Sequence, residues 1–591
     1  MDVEIAATST IEKLISRNSY LKTYIDSNDK TPIWDGNVFV YRNKNCNKKN
    51  EDLIGRVPVQ VKGREVSKIE NNNIKFRIDL ESIKKFHTDG GVIFFVVYIT
   101  QNNDRIYYNS LLPLDLARLI KRYDHQKTLE IELKPTPTEE RALADIFLNF
   151  VQNRKKQFGT LLPDFLYIED TENIKNQIKQ FKFSYSTVEP NKSTFFKELT
   201  TRDIYVYMEP KGIGNPIPIE KISNAIINIQ QKFEIALKEK VYYKDAYVQW
   251  ENGVPSIICG KAIRIIMPNS ENPGYCDFNL KIDFKGTLNE RIRDLYFLRD
   301  MIENKEFCIN TQVLQFQHFN LNEEKELYER IDRLNLIKKR LKFYGVKTDL
   351  NLDKITEEDY IKLDIITEDC PSIKKYNINL SESHLVKMRI ANILIMLMIE
   401  EDKRNGCYKI KDFFTSNWRV TYVLNEPTEN IELSQFLILD EESLLADNID
   451  AQEIINDIKR YHSRNIDIGY VNMFLLEVIK AYDRNSAQQG QLRYLMKSLS
   501  EWLYEESKED YIFINLAQVK HRLGELRKCD VDKIEAIKET YNDNIEMLVA
   551  TFILLDKKEE AKHLIDKMND REKETFISYP IYHLLRNGDI N

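Results

Sequence analysis

The segment Val92–Ile99 is the feature that most constrains the fold of this chain. It reads Val-Ile-Phe-Phe-Val-Val-Tyr-Ile, follows Gly90-Gly91 and contains no charged side chain. A strand with one face in water alternates apolar and polar residues, whereas a short continuous apolar run predicts a strand buried on both faces. Such a strand needs a layer of structure on each side, so we expect an α/β core around it.

The segments around this strand predict the rest of a first domain. Apolar residues recur at helical spacing over residues 9–25, and Ser9-x-x-Glu12 has the pattern of a capping box, which predicts a helix that begins there. Val38–Tyr41 and Val57–Val61 are short and β-branched, as strands are. Lys134-Pro135-Thr136-Pro137 then breaks the pattern and sets the domain at residues 1–134.

The chain has 591 residues, more than one ordinary hydrophobic core holds. We predict a central α+β domain over residues 135–320, with a long helix at Ile219–Glu239. A mostly helical domain is expected at 321–449, followed by an α-helical region at 450–591. The paired helices of this last region resemble tetratricopeptide-type repeats, although no repeat recurs at a fixed period.

Composition excludes several classes of protein. Hydrophobic residues make up 42% and charged residues 30%, which is typical of a globular protein. No apolar run is long enough to span a membrane, the N-terminus does not resemble a signal peptide, and no cysteines have CxxC spacing. We therefore expect a cytoplasmic protein with reduced thiols, without a zinc finger, a disulfide framework or a membrane partner. The net charge of −7 argues against nucleic acid along the whole chain, whereas the mildly basic first 134 residues allow phosphate contact there.

Three polar residues of the first domain form a candidate site. Asp35-Gly36 stands at the start of one predicted strand, and Val57-Pro58-Val59-Gln60-Val61-Lys62-Gly63 forms another. Side chains two positions apart on a strand share a face, so Gln60 and Lys62 point to one side and Val59 and Val61 to the other. If the valines enter the core, the amide and the ammonium lie side by side where Asp35 can reach them.

This set of groups suits hydrolysis of a phosphodiester bond. The reaction needs oxygen ligands for Mg²⁺ or Mn²⁺, a positioned water and positive charge near the developing phosphorane. Asp35 supplies an anionic ligand and Gln60 a neutral carbonyl oxygen. Lys62 orients or deprotonates the water and offsets negative charge in the transition state.

The order Asp35-Gly36, then Val-x-Gln60-x-Lys62, resembles the restriction-endonuclease-like, PD-(D/E)XK nuclease superfamily. It is most similar to a prokaryotic branch with Gln in place of the usual Glu, catalogued as a domain of unknown function. The resemblance covers residues 5–130, about a fifth of the chain. It implies an N-terminal restriction-endonuclease-like α/β domain in which Asp35, Gln60 and Lys62 are catalytic and Asp35 and Gln60 bind the metal. A helix carboxylate often joins such sites, and Glu12 occupies the matching place.

Two departures and several simpler explanations accompany this resemblance. The gap between Asp35 and Gln60 is long and filled by an Asn/Lys-rich insert, and Gln removes one negative charge, which should weaken metal binding. Asp35-Gly36 is also a common turn pair, and Gln60 and Lys62 could form a solvated strand face. Glu12 could equally be the carboxylate of a capping box.

The resemblance implies a metal-dependent endonuclease, with DNA favoured as substrate and RNA left open. Prokaryotic proteins that join such a domain to a long sensing module often act in defence against phage or foreign DNA. The residues beyond the first domain would then recognise a trigger, hold a partner chain or a second copy, or restrain the nuclease. The alternative function is a non-catalytic adaptor, which keeps the fold and binds nucleic acid or protein.

Overall fold

The computed structural model describes most of the chain, in two compact units. The described residues are 2–25, 34–44, 49–69, 72–101, 103–157, 178–189, 195–211, 216–267, 278–316, 324–372, 384–416, 418, 420–423, 430–462, 468–484 and 487–586. The first unit contains Met1–Phe233, Lys244–Cys259 and Arg264–Lys281, and the second contains Glu234–Tyr243, Gly260–Ile263 and Ile282–Asn591. Strands and helices are mixed in the N-terminal half, and helices make up the C-terminal region, as expected from the sequence.

The first unit begins with a seven-stranded sheet and four helices. Its elements are α1 (Val3–Ser16), β1 (Leu21–Ile25), β2 (Gly36–Tyr41), β3 (Leu53–Glu65), β4 (Ile74–Asp79), α2 (Leu80–Thr88), β5 (Val92–Ile99), β6 (Asp104–Leu111), α3 (Pro113–Tyr123), β7 (Thr128–Pro135) and α4 (Glu140–Gln157). The strand order is β1-β2-β3-β5-β6-β7-β4. β3 and β5 are parallel, with Gln60 beside Phe94, whereas the other neighbouring strands are antiparallel.

The two faces of this sheet are covered by different helices. Ile93, Phe95 and Val97 of β5 enter a core with α1 and α4. The alternate residues, Phe94 and Val96 among them, enter a second core with α2 and α3. The strand is therefore buried on both faces, as the apolar run predicts, because each face has a helical layer to bury it.

The predicted helix at residues 9–25 is only partly correct. α1 begins at Val3, because the Asp2 side chain accepts hydrogen bonds from the Glu4 and Ile5 backbone N–H groups. It ends at Ser16, and residues 21–25 form β1, which pairs with β2. Ser9 and Glu12 therefore lie inside the helix and do not begin it.

The first unit continues with a three-stranded sheet that packs on the seven-stranded one. β8 (Ile178–Ser184), α5 (Phe195–Thr201), β9 (Ile204–Pro210) and β10 (Ile217–Ile222) form this part, in the strand order β10-β9-β8. Tyr205 and Tyr207 of β9 join the core of α1 and α4. The expected boundary at residue 134 thus falls within a continuously packed body, because later strands bury their side chains against the first sheet.

Buried ion pairs strengthen this packing. The Lys134 ammonium lies 2.6 Å from an Asp203 carboxylate oxygen. Lys221 lies 3.4 Å from Asp203 and 3.6 Å from Asp115, and the Lys221 side chain is only 15% exposed. These pairs connect β7, the start of β9, β10 and α3 within the first unit.

The predicted helix at Ile219–Glu239 is wrong. The chain forms β10 and then β11 (Ile227–Leu237), with Asn224 at a φ of 57° between them. Isoleucine is favoured in strands, and a residue with positive φ interrupts a helix, so the local chemistry favours two strands. Further strands follow as β12 (Lys240–Glu251), β13 (Val254–Cys259), β14 (Ile263–Ile266) and β15 (Asn279–Ile282). The unit boundary falls inside β11 and β12.

The second unit is mixed α/β before it becomes helical. It contains α6 (Leu288–Asn304), β16 (Glu306–Ile309), β17 (Gln312–Gln315), α7 (Glu324–Phe343), α8 (Glu357–Thr367), β18 (His384–Ile390), β19 (Ile393–Asp402), β20 (Cys407–Asp412), β21 (Val420–Val423) and β22 (Asn430–Leu433). The expectation that helices dominate residues 321–449 is therefore wrong. Strand β19 begins Ile-Leu-Ile-Met-Leu-Met-Ile. The periodicity of such an apolar run cannot distinguish a buried strand from a buried helix.

Nine helices complete the described part of the second unit. They are α9 (Ala451–His462), α10 (Ile468–Asp483), α11 (Gln489–Ser507), α12 (Asp510–Leu523), α13 (Lys528–Thr540), α14 (Ile545–Leu554), α15 (Lys558–Ile565), α16 (Asp570–Ser578) and α17 (Ile581–Arg586). Most successive helices pack on one another, and the helices contribute to two apolar cores. No helix among the described residues is both long and apolar enough to cross a membrane.

One pair of cysteines departs from the expectation of reduced thiols. Cys370 and Cys407 form a disulfide that closes a loop of 37 residues, with their Cα atoms 5.4 Å apart. Their wide spacing in the sequence hid the pairing, because only the fold brings the end of α8 to the start of β20.

Candidate active site

Asp35 and Gln60 are in direct contact. The Gln60 side-chain Nε2 donates a hydrogen bond to Asp35 Oδ2 at 2.6 Å, and the backbone N–H of Val61 donates to the same oxygen at 2.6 Å. The Asp35 backbone N–H in turn donates to the Val59 carbonyl at 3.1 Å. The structure therefore brings together an acid and an amide that are 25 positions apart in the sequence.

The start of β2 explains why the Asp35 carboxylate lies beside Val61. Gly36 pairs with Val59 and is the first residue of β2, so the β2 ladder stops two positions before it would reach Val61. The Asp35 carboxylate takes the backbone N–H that β2 leaves without a strand partner. Gly36 has a φ of 150°, and a Cβ there would lie 2.6 Å from Ile25 Cα, so glycine is required for this close approach to β1.

Gln60 and Lys62 share the face of β3 opposite the valines, as predicted from the strand alternation. Val59 and Val61 are buried in the core of α1 and α4. Gln60 is 5% exposed, whereas the Lys62 side chain is exposed to solvent. A solvated face does not account for Gln60, because its amide is buried against a carboxylate.

Burial raises the pKa of Asp35 above its ordinary value. The hydrogen bond from the Val61 N–H, the positive charge of Lys62 and the Gln60 amide act in the opposite direction, and the negative charge of Glu4 adds to the increase. The ionised carboxylate is thus incompletely compensated by the described protein groups. A cation bound beside it would supply the missing positive charge.

The carboxylate of α1 that acts on Asp35 is Glu4. α1 starts against β3, because a Cβ on Gly63 would lie 2.5 Å from the Val3 carbonyl oxygen and 3.0 Å from Ala7 Cβ. The predicted residue, Glu12, is half-buried and lies eight positions further along α1, or about 12 Å along its axis. Its assignment stays a prediction. The sequence contains one signal for Glu4: Asp2 can cap a helix, and a helix that starts there has Glu4 in its first turn.

The donor atoms fit a hard divalent cation. Asp35 Oδ1 and Gln60 Oε1 accept no hydrogen bond from the residues that the structure describes, so one carboxylate oxygen and one amide oxygen remain for a ligand. Mg²⁺ is commonly held by one or two carboxylates together with waters and substrate phosphates. The described residues contain no group of three His, Cys, Asp or Glu side chains that could hold a metal ion. A metal would therefore depend on water and substrate for its other ligands.

Two further polar atoms lie where Trp34, the residue before Asp35, packs on the second core. Trp34 packs on Phe86, with ring centroids 6.5 Å apart, and its Nε1 has no hydrogen-bond partner among the described residues. Nε2 of His87, the neighbour of Phe86, also lacks one there. Burial lowers the pKa of His87, so the neutral imidazole is favoured near neutral pH.

Comparisons of the chain with protein-family models, with curated proteins and with solved structures found no match.

Proposed function

We propose that the N-terminal part of this chain is a metal-dependent nuclease with a restriction-endonuclease-like fold. The observation that carries the proposal is the contact between Asp35 and Gln60, with Lys62 on the same strand face. An acid, a neutral oxygen donor and a lysine arranged around one strand end are the groups that phosphodiester hydrolysis requires.

Each residue has a separate role in this proposal. Asp35 and Gln60 would hold Mg²⁺ or Mn²⁺, and the bound ion would supply Lewis-acid activation of the phosphate and of a water. Lys62 is exposed and orients that water while it offsets the charge that develops on the phosphate. Glu4 supplies a second carboxylate from α1, in the part for which the sequence predicts Glu12.

The biological role follows the resemblance seen in the sequence. We propose a cytoplasmic DNA endonuclease in prokaryotic defence against phage or foreign DNA, with RNA as the other substrate class. The helical part of the second unit would recognise a trigger or bind a partner chain. Packed helices that share extended cores are a common architecture for protein recognition.

Cleavage of plasmid DNA, single-stranded DNA and RNA in Mg²⁺ or Mn²⁺ tests this proposal. Asp35→Ala and Lys62→Ala should each reduce cleavage at least 100-fold, the scale on which catalytic groups act. Lys75→Ala is the matched control, because Lys75 is an exposed lysine on β4 of the same sheet. Cleavage that survives both site variants would place the activity elsewhere.

A second candidate function is the non-catalytic adaptor. The described residues contain no cluster of three ionisable metal ligands, which favours a domain that binds without cutting. An adaptor should bind its partner equally well after Lys62→Ala and in the presence of EDTA. Calorimetric titration with Mn²⁺ separates the two functions, because the nuclease should bind the ion and Asp35→Ala should abolish that binding.

A further inference from the structure

A row of basic side chains crosses one surface of the first unit. We call it the basic row, and its members are Arg56 on β3, Arg154, Lys155 and Lys156 in the last turn of α4, and Lys179 and Lys182 on β8. Arg56, Lys155 and Lys156 are exposed, and the side chains of Lys179 and Lys182 are 60% and 49% exposed.

Contacts show that the row is continuous. Lys155 Nζ donates to the carbonyl of Ile54 at 2.9 Å, two residues from Arg56. Lys156 Nζ donates to Ser184 Oγ at 2.7 Å, at the end of β8. The last turn of α4 therefore joins the start of β3 to the end of β8.

Like charges adjoin within the row. Burial lowers the pKa of Arg154, the negative charge of Asp89 opposes this shift, and the positive charge of Arg56 adds to it. The Lys156 side chain is exposed along its length, but partial burial of its ammonium group against Ser184 lowers the pKa of Lys156, and the charge of Lys182 adds to the effect. Groups that repel one another in this way are stabilised by an anion that binds between them.

Few carboxylates neutralise these cations. Among the described residues, the acids that pair with the row are Asp89, which lies 3.6 Å from Arg154, and Glu209, which lies 3.2 Å from Lys179 and 2.6 Å from Lys182. Lys155 and Lys156 bond to neutral oxygens instead. The excess positive charge fits a polyanion such as a phosphate backbone.

Two exposed aromatic rings lie on β8, the strand that also carries Lys179 and Lys182. Phe181 and Phe183 are 44% and 67% exposed, although a phenyl ring is usually buried. They are two positions apart on β8, so they share the face of the strand opposite Lys182. Because β8 is an edge strand, a nucleic-acid chain that crosses its edge can contact both faces. Aromatic side chains beside basic ones are typical of surfaces on which unpaired bases stack. The bases of a duplex are already stacked and cannot reach these rings.

We propose that the basic row, with Phe181 and Phe183, binds single-stranded nucleic acid. The row contacts the phosphates, and the two rings stack on bases. Arg56 lies on the same strand and the same face as Gln60, four positions or about 13 Å away, so a strand bound along the row leads to the candidate active site. That the bound strand is the substrate rests on the proposed nuclease function.

Binding measured in EDTA tests the surface without any cleavage. A fluorescent single-stranded oligonucleotide of about 20 nucleotides, longer than typical single-strand sites, is titrated with the full-length protein as DNA and as RNA. Phe183→Ala should weaken binding about tenfold, within the range for loss of one stacked base. Phe343→Ala is the matched control, because Phe343 is 64% exposed in the second unit, and it should leave binding unchanged.

The lysines are tested by the dependence of binding on salt. The logarithm of the binding constant falls linearly with the logarithm of the salt concentration. Lys155→Ala and Lys179→Ala should each make this slope less steep by about 0.7, the value for one phosphate contact on a single strand. Lys285→Ala is the control, because Lys285 is 61% exposed and paired with Asp283, much as Lys179 is paired with Glu209. Circular dichroism establishes that each variant is folded.

The outcomes separate this inference from the proposed function. Phe183→Ala should weaken binding to the single strand and leave binding to a duplex unchanged. Retained binding without any metal-dependent cleavage would overturn the nuclease and support the surface. Absence of single-strand binding, or binding that is indifferent to Phe183→Ala and both lysine variants, would overturn the surface and assign the exposed rings to a protein partner.

Discussion

The Gln60 side-chain amide donates to Asp35 Oδ2 across 2.6 Å, and this contact joins the start of β2 to the middle of β3. It also fixes the orientation of the amide, because Nε2 faces the carboxylate and Oε1 takes no part in this contact. The half-buried carboxylate and the amide oxygen left without a hydrogen bond therefore form a preorganised pair at the start of β2.

The pH dependence of cleavage should report the ionisation of Asp35. A metal binds the ionised carboxylate, and burial raises the pKa of Asp35. As the pH is lowered, activity should therefore begin to fall at a pH above the ordinary range for an aspartate. Glu4→Gln removes a charge that raises this pKa, and the acidic limb of the profile should move to lower pH. Glu12→Gln is the control and should leave the limb in place. If the acidic limb moved in Glu12→Gln and stayed in place in Glu4→Gln, the carboxylate of α1 that acts on Asp35 would be Glu12.

Asp35→Asn should stabilise the protein while it abolishes cleavage. A folded-state pKa above the unfolded value means that ionised Asp35 disfavours folding at neutral pH. Asparagine keeps an oxygen for the Val61 N–H without the charge. The gain in unfolding free energy, about 0.5–2 kcal/mol for a single favourable substitution, should vanish below pH ~4, where the unfolded carboxyl is protonated too. Thermal unfolding at both pH values measures it, and an unchanged melting temperature at neutral pH would contradict it.

Gly63→Ala should push α1 away from β3. The new Cβ would lie 2.5 Å from the Val3 carbonyl oxygen and 2.7 Å from Val3 Cγ1, so backbone has to move. We expect a loss of about 1–3 kcal/mol of unfolding free energy. Gly490→Ala is a suitable control, since a Cβ there meets nothing within 4 Å. Chemical denaturation of both variants measures the difference, and equal stability would show that α1 does not press on β3.

Asp203→Ala should be among the most destabilising substitutions in the first unit. Burial opposes ionisation of Asp203, but the charges of Lys221 and Lys134 outweigh it and hold the pKa of this carboxyl well below its ordinary value. Its removal leaves Lys221 buried beside Asp115 alone, at a cost of about 3–5 kcal/mol.

Exposed Asp283, paired with Lys285, provides the matched control, and Asp283→Ala should cost at most about 1 kcal/mol. Because the folded pKa of Asp203 is depressed, its contribution is present above pH ~4 and is lost as the pH falls through that depressed value. Urea denaturation at neutral and acidic pH measures both effects. Similar losses of unfolding free energy in Asp203→Ala and Asp283→Ala would show that the ion pairs of Asp203 with Lys134 and Lys221 do not stabilise the first unit.

Cys370→Ser should destabilise the mixed part of the second unit under non-reducing conditions. A disulfide that closes a loop of 37 residues restricts the unfolded chain, and the loop-entropy relation gives about 4 kcal/mol for it. Cys529→Ser is the control, because Cys529 is a free, exposed cysteine. A reducing agent should bring the melting temperature of the unsubstituted protein to that of Cys370→Ser. A melting temperature that does not change when the reducing agent is added would show that the disulfide is not formed.

The sequence by itself determined the features that depend on local pattern. The continuous apolar run of β5 required a layer on each face, and the alternation in β3 separated Gln60 and Lys62 from the valines. The paired helices α14 and α15 also followed from short-range periodicity. Backbone sterics and solvent exposure act over a few residues, so these signals are visible in one chain.

Only the tertiary structure decided the features that join distant residues. The contact of Asp35 with Gln60, the approach of Glu4, the disulfide of Cys370 with Cys407 and the strand at Ile393–Asp402 depend on partners outside any local window. The basic row is of the same kind, since its charges come from β3, α4 and β8. Long-range packing chooses between conformations of similar local free energy, and no single segment contains the information for that choice.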